Sequence, residues 1–133
     1  MPKIKLPAKL ENLEELMRFV SSYAEETGFS QTRIQEIELA TEEALVNIFK
    51  YAYPQETGDV ALMCRTDNTS LHIEIRDHGI PFNLLSKPDP DLNASLVERK
   101  IGSLGIFFIK KMANEVQYHR EDDQNILKLV IHR

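Results

Sequence analysis

ELATEEALVNIFKYAY, Glu38 to Tyr53, is the stretch that decides the fold. Ile34, Ile37, Thr41, Ala44, Ile48 and Ala52 recur at three- and four-residue steps, the spacing of a helical core stripe. Glu36, Glu43, Asn47 and Lys50 recur on a second line with the same kind of step. At about 100° per residue, that line lies more than a quarter-turn round from the first. One helix is predicted, apolar on one side, with an acid, an amide and a cation stacked along another. Exposed Glu and Lys are ordinary, so a solvated face is the plain reading of the second line. Asn47 argues for more. Its amide competes for backbone bonds, so an Asn in mid-helix is mildly costly and invites a reason. A hard cation with bound phosphate is one candidate, because Mg²⁺ takes oxygen ligands, keeps several waters and needs few protein groups.

Outward from this helix the chain divides cleanly. Lys3 to Leu6 is a short strand candidate ended by Pro7. Asn12 is placed to cap a helix running to about Thr27, with Leu13, Leu16, Met17, Val20 and Ala24 inward and Gly28 closing it. Ser30 caps the central helix, and Pro54 with Gly58 ends it. Asp59 to Thr66 and Ser70 to Asp77 alternate apolar and polar residues across an Asp67-Asn68 turn, which predicts a hairpin. From about Leu84 to Ser103 no period is visible, and Pro88 and Pro90 interrupt the stretch. A loop that long in a compact domain is usually functional or mobile, and here it is expected to act as a lid. Leu104 to Ala113 reads as a helix opened by GSLG. Glu115 to Arg120 and Ile126 to His132 read as a second hairpin across the polar turn EDDQN. Helices dominate the first half and strands the second. The expected class is α+β: a two-layer sandwich with a mixed, mostly antiparallel sheet and the helices on one face.

Composition bounds the function. With 133 residues and 42% hydrophobic content, a single domain over 1–133 is expected. A net charge of -5 argues against general nucleic-acid binding, which wants a basic face. The lone Cys64 alternates with Val60 and Leu62 and is read as a buried strand residue. MPKIKLPAKLENLEE has no apolar core of signal-peptide length, and no run approaches a membrane span. A soluble, cytoplasmic protein is expected.

Three stretches are candidates to converge at one end of the sheet. One is the Glu43/Asn47 face. Another is IRDHGIPF, where Asp77 lies at a strand end and Gly79 permits a tight turn and close ligand approach. The last is GSLGIFFIKK, where Gly102 and Gly105 frame a helix N-terminus that offers N–H groups and a positive dipole end to phosphate. Each alone is weak; in this order they are far more specific.

EEALVNIFKYAYP, IEIRDHGIPFN and GSLGIFFIKKMANEVQY together resemble the Bergerat ATP-binding fold of DNA gyrase B, histidine kinases and the heat-shock ninety chaperones. Within that superfamily, NIFKYAYP and DHGIPF resemble the bacterial anti-sigma-factor serine/threonine kinases that control sporulation and general stress response. The resemblance implies ATP and Mg²⁺ as cofactors. It implies that Glu43 is the catalytic base, that Asn47 binds Mg²⁺ and that Asp77 accepts a hydrogen bond from the adenine amino group above a floor shaped by Gly79. It implies that the backbone of Gly102, Ser103, Leu104 and Gly105 meets the phosphates, with Lys50, Arg99 or Lys100 as helpers for phosphate charge. As partners it implies a sigma factor, a small anti-anti-sigma antagonist phosphorylated on serine, and a second copy of the chain in a homodimer. A non-catalytic ATP-binding partner switch is the alternative. The chain departs from the pattern at Ser103, at Asn114, and at Asp123-Gln124-Asn125, where relatives often have glycines or a Thr near the nucleotide.

Overall fold

The computed structural model describes residues 2–55, 57–86 and 103–133. Five strands form one sheet: β1 (Lys3–Pro7), β2 (Asp59–Thr66), β3 (Ser70–Asp77), β4 (Glu115–Glu121) and β5 (Gln124–His132), in the order β1-β2-β3-β5-β4. Among the described strands every pairing is antiparallel, so the mixed sheet expected from the sequence is more uniform than its prediction. Three helices, α1 (Leu13–Thr27), α2 (Gln31–Tyr51) and α3 (Ser103–Met112), close one face. The architecture is the α+β two-layer sandwich. No described helix is long and apolar enough to cross a membrane.

The helices form for local reasons. Leu16, Val20 and Ala24 of α1 are fully buried, with Leu13 and Met17 packed at the margin. Asn12 stands at the N-cap position, yet its side chain donates to the Pro7 carbonyl at 2.9 Å instead of capping the helix. Gly28 ends α1 at φ 89°, a left-handed conformation that favours glycine. Ser30 caps α2 as its hydroxyl accepts from the Arg33 amide at 3.2 Å. The whole predicted stripe of α2 is buried, and so are Ala40, Leu45 and Asn47. The buried arc is wider than one stripe because α2 lies between α1 and α3 and packs on both.

The strands present one apolar row to the helices. Leu71 faces Ile131, Ile73 faces Leu129 and Ile75 faces Leu127, all buried. The next rung in that row is polar: Asp77 faces Asn125. The opposite face carries Glu74, largely covered, joined in ion pairs with the more exposed Arg76 and Lys128. Cys64 is buried, and burial pushes its thiol up to about 12, which makes it inert at ordinary pH.

Two expectations need correction. The last hairpin turns on Asp122 and Asp123 alone, both at positive φ (51° and 61°), and not across the five residues EDDQN. That is the backbone of a two-residue hairpin loop, which Asp tolerates. Strand β5 therefore begins at Gln124 and takes Asn125 into the sheet. The stretch expected to be an aperiodic lid from Leu84 starts with a short 3-10 turn, Leu84–Ser86, whose Leu84 is buried in the core. The rest of the expected lid, 87–102, with Arg99, Lys100 and Gly102, lies outside the described residues.

Gly79 is fixed by packing. A Cβ there would sit 2.2 Å from the Ala52 carbonyl oxygen at the end of α2. Gly79→Ala is expected to cost about 2–3 kcal/mol, more than the roughly 1 kcal/mol of Gly28→Ala at a left-handed cap. Urea unfolding of both variants beside the parent checks the order; an unchanged midpoint for Gly79→Ala would contradict it.

Candidate functional site

At the polar rung, Asp77 and Asn125 are 2% and 4% exposed, so each must be satisfied inside the protein. Asp77 Oδ1 accepts from the Gly79 amide at 2.9 Å and from Asn125 Nδ2 at 2.8 Å. Asn125 Nδ2 also donates to the Ile80 carbonyl at 2.8 Å. Asn125 Oδ1 accepts from the Phe82 amide at 3.1 Å and from the Tyr118 hydroxyl. The loop after β3 is held from other sides too. The Ile80 amide donates to the Ala52 carbonyl at 2.9 Å, and Arg120 donates to the Gly79 carbonyl at 2.8 Å. Tyr53 Oη accepts from the His78 amide at 2.8 Å and donates to the Asp59 carbonyl at 2.7 Å, which locks the end of α2 to the strand exit. Burial raises the Asp77 carboxyl above the usual carboxylate range, while the Asn125 and Gly79 donors, Arg120 and His78 pull the other way.

The second group lies on α2. Glu43 is half-buried, and its Oε2 is enclosed with no hydrogen-bond partner among the described residues. Burial raises its carboxyl, with the neighbouring Glu42 charge adding to the effect. One turn on, Asn47 is 2% exposed, which rejects the solvated-face reading for that position. Its Nδ2 donates to the Glu43 carbonyl at 2.7 Å, and the oxygen of an Asn amide is the end of the group suited to a hard cation. Lys50 is exposed, with Nζ 5.3 Å from the centre of the Tyr51 ring. Arg33, near the start of α2, donates to the carbonyl of Met112, the last residue of α3, at 3.2 Å. The two helices pack together. Ser103, Leu104 and Gly105 form the first turn of α3, whose amides lack intrahelical partners and favour anions.

Among the described residues no three His, Cys, Asp or Glu side chains gather as a metal cage. The donors present fit a Mg²⁺ ion held mostly by phosphate and water, with one amide oxygen from the protein. Between the two groups, Ile48 of α2 lines a small cavity with Ile75, Asp77, Phe82, Leu84, Tyr118, Asn125 and Leu127. Its volume is about 10 Å³, room for about one water. Phe82 and Leu84 are among its lining residues, and the Phe82 ring meets the Tyr51 ring at a tilt, centroids 5.3 Å apart. A purine is far larger than this space, so base binding there requires the lining to move.

Sequence reasoning noted Asn125 only as a departure near the nucleotide, without a role, and missed Tyr118, Arg120 and Tyr53. Tyr53 was inside a quoted motif but unassigned. The signal for Asn125 was available in the alternation Asn125, Leu127, Leu129, Ile131, once Asp122-Asp123 is read as the whole turn. Asn114, noted as a departure, ties α3 to the sheet: its amide donates to the Val130 carbonyl at 2.8 Å and its Oδ1 accepts from the His132 amide at 2.8 Å.

Comparison with known proteins now has a geometry to meet. A family model described as a histidine kinase-like ATPase domain matches residues 6–131. The chain is 27% identical to the serine-protein kinase RsbW of Bacillus cereus (strain AH187), over 94% of this chain and 81% of that protein. The RsbW of Bacillus anthracis is 26% identical over the same shares. Two solved structures share the fold. The RsbU and RsbW domains of Rv1364c from Mycobacterium tuberculosis match with a TM-score of 0.60 and 13% identity, over 99% of this chain and 32% of that one. The Erythrobacter litoralis EL346 blue-light activated histidine kinase matches with a TM-score of 0.55 and 18% identity, over 90% of this chain and 41% of that one. The chain thus spans less than half of either solved protein, and these two likenesses speak for the fold alone. With nearly its whole length matched by the family model, this chain belongs to the histidine kinase-like ATPase domain family.

Proposed function

We propose that this chain is an ATP-dependent serine/threonine protein kinase that acts as an anti-sigma factor. On this reading it is a cytoplasmic homodimer that holds a sigma factor and phosphorylates a small anti-anti-sigma antagonist on serine. The observation that carries the enzymatic part is Glu43: an enclosed carboxylate oxygen with no partner among the described residues, one helical turn before the buried Asn47. The name serine-protein kinase borne by relatives at 26–27% identity supports the substrate class, and the partners follow from the family resemblance of the sequence motifs.

The chemistry follows from these positions. Asp77 takes the adenine amino group through the carboxylate oxygen that Gly79 and Asn125 do not occupy. Gly79 lets the loop lie against α2 and so sets the pocket floor. Asn47 holds Mg²⁺ by its amide oxygen, and the ion when bound supplies positive charge to the phosphate oxygens. The first turn of α3, with Gly102 before it, receives the phosphates through Ser103, Leu104 and Gly105, and Lys50 adds charge nearby. Glu43 takes the proton from the attacking serine hydroxyl as the Oγ–phosphorus bond forms and the bond to ADP breaks. Its raised affinity for protons suits a base that must hold one. Phosphoryl transfer asks mainly for positioning and charge neutralisation, which this arrangement supplies.

A partner switch without transfer is the second reading. The small volume of the cavity beside Asp77, about 10 Å³, favours it, since a base entering there must move the lining, and that movement alone suffices to set partner affinity.

Glu43→Gln is expected to keep Mg·ATP binding and to slow transfer by roughly two to four orders of magnitude. Asn47→Ala is expected to lose Mg²⁺-dependent binding as well as transfer. Single-turnover transfer to a serine-bearing antagonist, beside nucleotide titrations, checks both; parental-rate transfer by Glu43→Gln would show that Glu43 is not the base, and ATP-dependent partner binding with no transfer by the parent would favour the second reading.

Asp77→Asn is expected to weaken ATP binding, because an acceptor becomes partly a donor. The same change should stabilise the fold at neutral pH. The native carboxyl is raised above its ordinary 3.8, so the folded state binds the proton more tightly than the unfolded chain. Stability is therefore lost as pH rises from that ordinary value through the native one. Urea unfolding should place Asp77→Asn above the parent at pH 7.5, with the gap closing toward pH 4. A constant gap across that range would contradict the assignment.

A further inference from the structure

We infer that Asn125 is a positioning residue for base selection: it turns Asp77 so that one carboxylate oxygen is used up inside the protein and only the other meets the nucleobase. The inference rests on the reading of Asp77 as the adenine acceptor and adds a residue that reading does not contain.

All the hydrogen-bonding capacity of Asn125 is engaged within the fold. Its amide nitrogen donates to Asp77 Oδ1 and to the Ile80 carbonyl, both at 2.8 Å. Its oxygen accepts from the Phe82 amide and the Tyr118 hydroxyl. A side-chain amide has two donor hydrogens and two acceptor lone pairs, so nothing remains for a ligand. Asn125 therefore acts through Asp77 and not on the base. The amide orientation is determined by its neighbours: the Phe82 N–H and Tyr118 O–H can only meet the oxygen, and the Ile80 carbonyl only the nitrogen.

The consequence falls on Asp77. Oδ1 already takes two donors, Gly79 N and Asn125 Nδ2. Both donors bond a carboxylate better than a neutral acid, so the pair favours the charged, acceptor-only form of the group against the burial that favours protonation. Adenine presents an amino donor where guanine presents a carbonyl acceptor. An acceptor-only Oδ2 accepts the first and repels the second. With Asn125 removed, Oδ1 loses a donor, the carboxyl is released to rotate and to carry a proton, and a protonated carboxyl can donate to guanine. The same amide bonds the loop at Ile80 and Phe82, so it also fixes the height at which that loop crosses the cavity.

The test is calorimetric titration of the full chain with Mg·ADP and Mg·GDP, for the parent, Asn125→Ala and the near-isosteric Asn125→Asp, with circular dichroism to establish folding. The parent is expected to prefer ADP. Asn125→Ala is expected to bind ADP roughly tenfold more weakly, the worth of one hydrogen bond to a charged group, and to lose at least tenfold in the ADP-to-GDP ratio. A merely structural role would weaken both nucleotides alike and leave the ratio unchanged, which would overturn the inference. If Asn125→Ala does not fold, Asn125→Asp decides on the same ratio. Retention of the parental ratio there also overturns it. A parent that binds both nucleotides equally would sink the reading of Asp77 itself, and the inference with it.

Discussion

A carboxylate and an amide face each other on the last rung of β3 and β5, at the end of a row that is otherwise Leu and Ile. An ionisable group at 2% exposure is tolerated only when its neighbours satisfy it. Here they do so by converging from separate parts of the chain: Asn125 from β5, Gly79 from the loop, and Arg120 near the end of β4 through the Gly79 carbonyl. The pair therefore fixes more than its own geometry. It sets where the loop after β3 crosses, which sets where Phe82 and Leu84 lie, which sets the size of the cavity against α2.

α2 meets this corner as a scaffold and as a chemical surface. Its stripe of Ile37, Ala44 and Ile48 belongs to the core, and the Ala52 carbonyl at its end receives the Ile80 amide. Glu43 and Asn47 sit on the same rigid element, so their spacing is inherited from the helix and not from a loop. The packing that stabilises α2 is thus also what holds the two groups in register with the Asp77 corner. The Glu43 oxygen without a partner among the described residues is a local cost of the kind native folds retain where function asks for it.

Much of this was legible in the sequence because it rests on period. The α2 stripe, the first hairpin and the caps at Ser30 and Gly28 follow from spacing and residue type. The site was legible as stretches, not as contacts. Asn125 was hidden because two consecutive Asp residues closed the hairpin at positive φ, where Gly is the more usual signal, and a longer turn absorbed the start of β5. Leu84 was hidden because a short 3-10 turn has no period to read, although its side chain is buried. Gly79 was expected to make room for a ligand, and its immediate reason is the carbonyl of Ala52. Tyr53 reaches His78 through its hydroxyl across a long sequence separation, which no local pattern announces, and Tyr118 reaches Asn125 across the β4–β5 hairpin whose register the sequence reading misplaced.

The central claim is that the buried carboxylate of Asp77 recognises the base through one oxygen while Asn125 keeps the other. A crystal structure of the chain with Mg·ADP measures this directly. The expected result is an adenine amino nitrogen within hydrogen-bond distance of Asp77 Oδ2, the Asn125 bond to Oδ1 intact, and Phe82 and Leu84 moved aside. Adenine bound away from Asp77, or an Asp77 turned so that Asn125 is abandoned, would contradict it.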